Sequence, residues 1–201
     1  MTWRRVLRRL RSERGFSLIE MLTVMAIMGI VMGSLTTVFV SASNSEADMN
    51  NRFQAQLNSR LALDKIRREV HCAKTATPTG VDTSSITITL SWLQSDGSTF
   101  NCKTGSGSVT WCTRSVSTNR YALYRVIGAT CSGGVKWADY LAPSSSAPTC
   151  SGTLCIFNYT AQSTSSLAML KVDFPVNMKP SKSTEMYELM DDIVLRNSTR
   201  A

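Results

Sequence analysis

The sequence has one histidine in 201 residues and none of the common enzyme motifs. A single histidine excludes a metal site built from several histidines of one chain. The phosphate-binding GxxxxGK[ST] loop, the GxSxG nucleophile turn and the HExxH zinc motif are all missing. We therefore predict no catalytic residues, no metal and no cofactor. The acidic pair Asp191-Asp192 is interpreted as a solvated strand edge or a turn cap, with calcium in a neighbouring loop as the alternative.

Basic residues outnumber acidic residues, but most of the excess positive charge lies near the N-terminus. The chain carries 22 Lys and Arg against 14 Asp and Glu, a formal charge of +8. Six arginines and one glutamate fall within residues 1–15, so this stretch provides five of the eight net positive charges. The small net charge of the residues after 15 indicates no groove for nucleic acid in that part of the chain. With 43% hydrophobic residues and a mean hydropathy near zero, the length predicts one globular domain with an appendage.

Residues 16–40 form a long apolar segment with a single formal charge, at Glu20. About 20 apolar residues span a bilayer as a helix, so this segment is long enough to cross a membrane. The arginine-rich stretch before it predicts a cytoplasmic N-terminus, because positive charges stay on the cytoplasmic side of a membrane span. The chain beyond the segment is then expected outside the cytoplasm.

Two ordinary interpretations of this segment leave Glu20 unexplained. A cleavable signal peptide has an apolar core of about 7–15 residues before a small-residue site. Val40-Ser41-Ala42 would serve as that site, but the apolar run before it is too long. An uncleaved anchor fits the length better. Neither interpretation requires a carboxylate in the bilayer, which costs about 2.5–3.5 kcal/mol.

The sequence RGFSLIEML, which ends at Leu22, closely resembles the signal of type IV prepilins, in which a basic leader ends in Gly and a Phe begins the mature helix. The resemblance covers about residues 11–40. It implies cleavage between Gly15 and Phe16 by a prepilin peptidase, followed by N-methylation of Phe16. Glu20 then becomes the fifth mature residue, the position at which pilins carry their glutamate.

The resemblance also implies partners and a destination. The freed α-amino group of Phe16 would pair with Glu20 of a neighbouring subunit, because each buried charge neutralises the other. The implied partners are other pilin or pseudopilin subunits, the prepilin peptidase and methylase, the inner-membrane assembly platform and the lipid bilayer. The subunit would begin as a single-pass protein of the cytoplasmic membrane with an extracytoplasmic head, and would then enter a pilus or pseudopilus at the cell surface.

A finer likeness is to W-type minor pilins and J-type pseudopilins, through the long helix, the size of the head and the ending at residues 192–197. It implies a structural subunit, not an enzyme, that primes assembly near the filament tip. A major adhesive pilin and a membrane-anchored binding protein that never polymerises are the alternatives. The machine served is left open between adhesion and motility, DNA uptake and type II secretion, and a DNA-uptake pilus would add nucleic acid to the partners.

Gly29 and Gly33 form a GxxxG step within the apolar segment. This spacing lets two helix backbones approach closely, although glycine is also common in membrane helices without that role. Many major pilins have a proline at the position that Thr37 occupies here. We therefore expect no proline kink at this point.

Residues 41–76 are expected to continue the same helix beyond the membrane. Apolar side chains recur there at steps of four or five residues, the period of one helix face: Met49, Phe53, Leu57, Leu61, Ile66 and Val70. We predict that this apolar stripe packs against a sheet. The charged residues mostly fall away from it: Arg52, Arg60, Asp64, Lys65, Arg67, Arg68 and Glu69. His71 lies in the last turn, where a protonated imidazole would complement the helix dipole.

Residues 77–201 are rich in Ser, Thr and Val and are expected to form an extracytoplasmic head. Ile86, Ile88 and Leu90 alternate with polar residues, which is typical of a strand with one buried face. Further strands are predicted at residues 109–114, 120–127, 154–159, 167–174 and 192–195, and loops at 103–108 and 143–148. The aromatic residues expected to pack on the sheet are Trp92, Trp111, Tyr121, Tyr124 and Trp137. The pattern predicts an α+β fold of the type IV pilin kind, a long helix on an antiparallel sheet.

All six cysteines follow the apolar segment: Cys72, Cys102, Cys112, Cys131, Cys150 and Cys155. An even number outside the cytoplasm favours disulfides over free thiols. The preferred pair is Cys102–Cys112, because residues 103–108 contain two glycines and suit a hairpin turn. Cys131 would then pair with Cys150 or Cys155, leaving the other for Cys72.

Overall fold

The computed structural model describes residues 16–94, 96–102, 107–179 and 186–198. Within them, one helix is followed by thirteen strands. The helix, α1, is Leu18–Cys72. The strands are β1 (Thr75–Thr77), β2 (Asp82–Thr83), β3 (Ser85–Thr89), β4 (Ser91–Leu93), β5 (Thr99–Asn101), β6 (Ser108–Ser117), β7 (Arg120–Ile127), β8 (Val135–Leu141), β9 (Thr149–Cys150), β10 (Thr153–Leu154), β11 (Phe157–Thr160), β12 (Met169–Val176) and β13 (Tyr187–Val194).

Nine strands form one antiparallel sheet in the order β1-β3-β6-β7-β8-β12-β11-β2, with β13 also paired to β12. β12 pairs with β13 over its whole length, with β11 over Met169–Val172, and with β8 through Val176 and Leu141. β4 with β5 and β9 with β10 form separate two-stranded pieces. The predicted α+β fold, a long helix with an antiparallel sheet, is confirmed.

The alternating pattern at Ile86, Ile88 and Leu90 is confirmed, since all three side chains are fully buried. Strands also occupy most of the other predicted positions, as β6, β7, β11, β12 and β13. The segment at residues 143–148 is irregular, as predicted, whereas 103–106 lie outside the described residues. The prediction missed β8. Its register against β7 shifts twice, and the buried Ala138 and Leu141 are therefore not two residues apart.

The apolar stripe predicted to pack on the sheet is largely exposed, which corrects that prediction. α1 is buried instead along a face that consists of small residues at Ala55, Ser59 and Ala62 and of larger ones further along, at Leu63, Ile66, Glu69 and Val70. From the predicted stripe only Ile66 and Val70 are buried. The other four members are exposed: Met49, Phe53, Leu57 and Leu61. Over residues 55–62 small side chains let the helix lie close to the sheet, and the larger apolar side chains of the same stretch, Phe53, Leu57 and Leu61, remain exposed.

Glu69 is fully buried where α1 meets the sheet, although the sequence placed it among the outward-facing charges. The indole Nε1 of Trp111 donates to Glu69 Oε2 at 2.8 Å, and Nε of Arg125 donates to Oε1 at 2.8 Å. Nζ of Lys65 lies 3.2 Å from the same Oε1. These donors compensate the loss of water around the carboxylate, so this buried charge joins the helix to β6 and β7.

We expect Glu69→Ala to lower the free energy of unfolding by about 3–5 kcal/mol, because it leaves the Arg125 charge and the Trp111 donor without an acceptor. Urea unfolding of the full chain in lipid nanodiscs, followed by tryptophan fluorescence, measures the change. Glu46→Ala, at an exposed position of α1, is the control and should change stability by less than about 0.5 kcal/mol. Equal small effects of both substitutions would contradict the role assigned to Glu69.

Three disulfides join the six cysteines, which confirms the prediction of a disulfide-bonded head. Cys72 at the end of α1 bonds to Cys102 just after β5. The second disulfide, Cys112–Cys131, links β6 to the segment between β7 and β8, and the third, Cys150–Cys155, closes a short loop around β9 and β10. Each disulfide lies in the part of the chain expected outside the cytoplasm.

The predicted pair Cys102–Cys112 is wrong, and so is the pairing of Cys131 with Cys150 or Cys155 that followed from it. The hairpin closes before Cys102, not after it: β4 pairs with β5 around a turn at Asp96-Gly97. Gly97 has a positive φ of 81°, and the Asp96 carboxylate accepts a hydrogen bond from Ser98 N at 2.9 Å. Cys112 lies in β6, opposite Tyr124 in β7.

The last turns of α1 are tied to β13 and to the residues that follow it. Nε and Nη2 of Arg67 donate to Asp191 Oδ2 at 3.1 and 2.7 Å. His71 Nδ1 lies 2.9 Å from the carbonyl oxygen of Val194. The side-chain amide of Asn197 donates to the carbonyl of Cys72 at 2.6 Å and so satisfies the end of the helix. Asp191 is thus ion-paired with α1.

Asp173 in β12 is a buried carboxyl group whose two oxygens accept no hydrogen bond from any described residue. Burial raises the pKa of Asp173 above its usual value, and it outweighs the nearby Ser146 hydroxyl, which acts to lower this pKa; the Glu188 carboxylate acts in the same direction as burial. The neutral, protonated form is therefore favoured in the folded state. The contribution of Asp173 to stability is fully present at low pH and is lost as the pH rises through its folded-state pKa.

We expect Asp173→Asn to raise the free energy of unfolding at about pH 7 by about 1 kcal/mol, because the amide carries no buried charge. The difference from wild type should shrink towards about pH 4, where the wild-type carboxyl group is protonated in the folded state. Asp192→Asn, at an exposed position of β13, is the control. Unfolding measured across this pH range tests the expectation, and a pH-independent difference would contradict it.

Candidate functional site: the apolar beginning of the helix

Ser17 caps the N-terminus of α1. Its hydroxyl accepts a hydrogen bond from the backbone N of Glu20 at 3.2 Å, and its carbonyl accepts one from the same N–H at 3.0 Å. The S-x-x-E spacing is that of a capping box, a signal that the sequence analysis did not use. The cap places Glu20 in the first turn of the helix, where the helix dipole stabilises a negative charge.

The side chains of residues 16–40 are exposed along the whole segment. Phe16 and Leu18 at its beginning are 80% and 84% exposed. By length and composition α1 is apolar enough to cross a membrane. A soluble domain rarely leaves so many large apolar side chains in water, so this surface requires lipid or other protein chains around it.

The hydroxyl groups of the apolar segment are satisfied within the helix itself. Each donates to a carbonyl three or four residues earlier, at 2.8–2.9 Å: Thr23, Ser34, Thr36 and Thr37. Such internal bonds are needed wherever no water can serve as an acceptor. The helix is continuous through Thr37, as expected from the absence of a proline there.

Unlike these hydroxyl groups, the Glu20 carboxylate is not satisfied by hydrogen bonds within the helix. Among the described residues, no side chain donates to it. A carboxylate on an apolar helix surface costs about 2.5–3.5 kcal/mol in a bilayer and remains costly until it meets a donor or a positive charge. The geometry therefore leaves one unsatisfied negative charge on a surface that is otherwise internally satisfied.

Gly29 and Gly33 lie on the same apolar helix, and a side chain at either position would meet no atom within 4 Å. They leave two flat places on the helix surface. Close packing of a second helix at this step remains a prediction.

The remaining predicted site residues lie apart from this segment or outside the described residues. Gly15 and the whole basic leader, residues 1–15, belong to the undescribed part. The six cysteines are used in disulfides of the head. In the described part of the chain, no group of three or more His, Cys, Asp or Glu residues is arranged to hold a metal ion.

Comparison with known proteins matches the same segment. Residues 10–36 match the family described as the prokaryotic N-terminal methylation motif. No curated protein and no solved structure matches the chain. The matched motif contains Glu20 and both glycines of the GxxxG step, and it includes the first part of the long helix α1, whose later part packs on an antiparallel sheet with three disulfides. The chain therefore carries a prepilin-type N-terminal methylation motif at the beginning of a pilin-like α+β fold.

Proposed function

We propose that this chain is a minor type IV pilin or pseudopilin, which enters a filament through α1 after cleavage between Gly15 and Phe16 and methylation of Phe16. The unsatisfied Glu20 carboxylate on the apolar surface is the observation that carries the proposal. Members of this family are typically structural subunits without enzymatic activity. The function is accordingly mechanical: the chain supplies a subunit surface to an assembly.

Cleavage gives Glu20 a partner that the precursor does not have. It frees the α-amino group of Phe16, which is positively charged and lies at the end of an apolar helix. Unpaired, this amine and the Glu20 carboxylate of the next subunit each cost several kcal/mol in an apolar setting; paired, they neutralise each other. Because the two charges must meet, they select one axial offset between neighbouring helices. N-methylation keeps the positive charge, so the pair survives the modification.

A second apolar surface supports packing between subunits further along the helix. Phe53, Leu57 and Leu61 recur every four residues and remain exposed, because this part of α1 is buried along the face of Ala55, Ser59 and Ala62. Side chains at this spacing lie on one side of a helix. We infer that this side of α1 packs against helices of neighbouring subunits once the filament forms.

The orientation before assembly follows from charge and redox chemistry. The arginine-rich leader stays in the cytoplasm by the positive-inside rule, so the prepilin peptidase and methylase act there. The head then lies outside the cytoplasm, where oxidising conditions favour its three disulfides. The finer assignment, a subunit that primes assembly near the tip, rests on the likeness to W-type minor pilins and J-type pseudopilins. The inner-membrane assembly platform is the partner that this role requires.

We expect Glu20→Gln to insert into the membrane and to be cleaved, but to enter filaments at least about tenfold less than wild type. The substitution keeps the size of the side chain and removes the charge that pairs with the amine, and loss of one partner of a buried ion pair is strongly destabilising. Quantitative mass spectrometry of purified filaments and of the membrane fraction gives both numbers from the same cells.

Glu46→Gln, on the same helix beyond the apolar segment, is the matched control and should assemble like wild type. Normal incorporation of the Glu20 variant would overturn the proposed pairing. The wild-type sample also provides the subunit ratio. A priming subunit is far less abundant than the main pilin of the filament. If this chain instead makes up most of the filament's subunits, it is a major, adhesive pilin.

A further inference from the structure

A cavity of about 360 Å³ lies in the head between α1 and β8. This volume falls at the lower end of the range for small-molecule sites, about 300–1,000 Å³. Two small residues, Ala55 on the helix and Ala138 on the strand, are among those that line it and are themselves buried. No step of the assembly mechanism uses this cavity.

One wall of the cavity consists of carboxamide side chains. Asn51, Gln54 and Asn58 lie three and four residues apart on α1 and line the cavity together. Within the described parts of the chain, none of the three amides makes a hydrogen bond through its side chain. Each amide offers two N–H donors and one carbonyl acceptor, so this wall presents paired donors and acceptors to a ligand.

The opposite wall carries an aromatic ring that is held in place. Trp137 in β8 is half-buried and lines the cavity. Its ring packs edge-on against Trp111, with 5.8 Å between ring centroids. Trp111 is itself fixed by the hydrogen bond from its indole to Glu69. A ring supported in this way loses little conformational freedom when it contacts a ligand.

The charged groups of the strand wall are paired with one another. Nε and Nη2 of Arg120 donate to the Asp139 carboxylate at 3.0 and 2.9 Å, and Nζ of Lys136 donates to it at 2.9 Å. Burial acts to raise the pKa of Asp139, but the hydrogen bonds from Arg120 and Lys136 outweigh it and hold this pKa below its usual value. The carboxylate is therefore ionised and already satisfied by two cations, so it offers no free negative charge to attract a cationic ligand.

The strand is distorted where it forms this wall. Tyr140 has a φ of 61°, a conformation that is unfavourable for a bulky side chain. It is retained because Asp139 accepts a hydrogen bond from the Tyr140 backbone N at 2.7 Å, and because the Arg120 guanidinium lies 3.9 Å from the centre of the Tyr140 ring. Strained residues that are held by their surroundings occur preferentially at functional sites.

We propose that this cavity binds a neutral saccharide of one or two rings. Carboxamides are suited to the neighbouring hydroxyls of a sugar, since they donate and accept at the same time, and an aromatic ring contacts the apolar C–H face of a pyranose. The paired charges disfavour a cationic ligand, the uncharged carboxamide wall is suited to a neutral one, and the small volume disfavours a long chain. The site would give the assembled subunit a ligand-binding function that is separate from its assembly through Glu20.

The test uses the full chain in phosphatidylcholine nanodiscs, since detergents with sugar headgroups would compete. Lactose, maltose and the disaccharide of N-acetylglucosamine are the probes, each also tested as its monosaccharides. The indole N–H signal of Trp137 is followed by NMR, with the signals of the other tryptophans as internal references. We expect at least one probe to shift the Trp137 signal with a dissociation constant of about 1 mM.

Two substitutions at exposed helix positions distinguish the site from nonspecific contact. Asn51→Ala and Gln54→Ala should each weaken binding about five- to tenfold, and alanine favours the helix, so folding is retained. Asn50→Ala and Gln56→Ala, at neighbouring positions that do not line the cavity, should bind like wild type. The proposal is overturned if no probe shifts the Trp137 signal or if the cavity variants bind as tightly as the controls.

Discussion

The structure depends on one constraint: a carboxylate lies near the beginning of a helix whose surface is otherwise apolar. The hydroxyls of that segment are satisfied by carbonyls of the same helix, and Ser17 satisfies the first turn. Glu20 alone has no such solution within the described chain. A positive charge from outside the helix is needed to neutralise it, and in an apolar environment that requirement is worth several kcal/mol. The proposed self-association through this residue rests on the same physics that makes the charge costly in a single chain.

The head is joined to the helix in a way that leaves the helix free for this role. Small residues such as Ala55 and Ala62 contact the sheet, and the buried Glu69 binds donors from two strands. The large apolar side chains Phe53, Leu57 and Leu61 therefore remain outside. Arg67, His71 and the disulfide at Cys72 then fix the end of the helix to the head. One helix thus supports a domain on one face and offers an apolar surface on another.

Sequence periodicity predicted the elements better than it predicted the faces they bury. The long helix, the alternating strand at Ile86–Leu90 and the disulfide-bonded head all followed from local patterns. The buried positions Ala55, Ser59 and Ala62 of α1 did not, because small residues carry little hydrophobic signal even where they pack closely. The buried Glu69 was missed for a related reason, since its partners Trp111 and Arg125 are distant in sequence.

The predicted disulfide pairing was wrong because one turn was not recognised in the sequence. Asp96-Gly97 is a strong hairpin signal, and recognising it would have closed the hairpin before Cys102 and excluded the pair with Cys112.

The exact mass of the amino-terminal peptide of the protein isolated from cells tests the central claim most directly. Our account predicts a chain that begins at Phe16 with one added methyl group. A chain that still carries residues 1–15, or one that begins after Ala42, would contradict it.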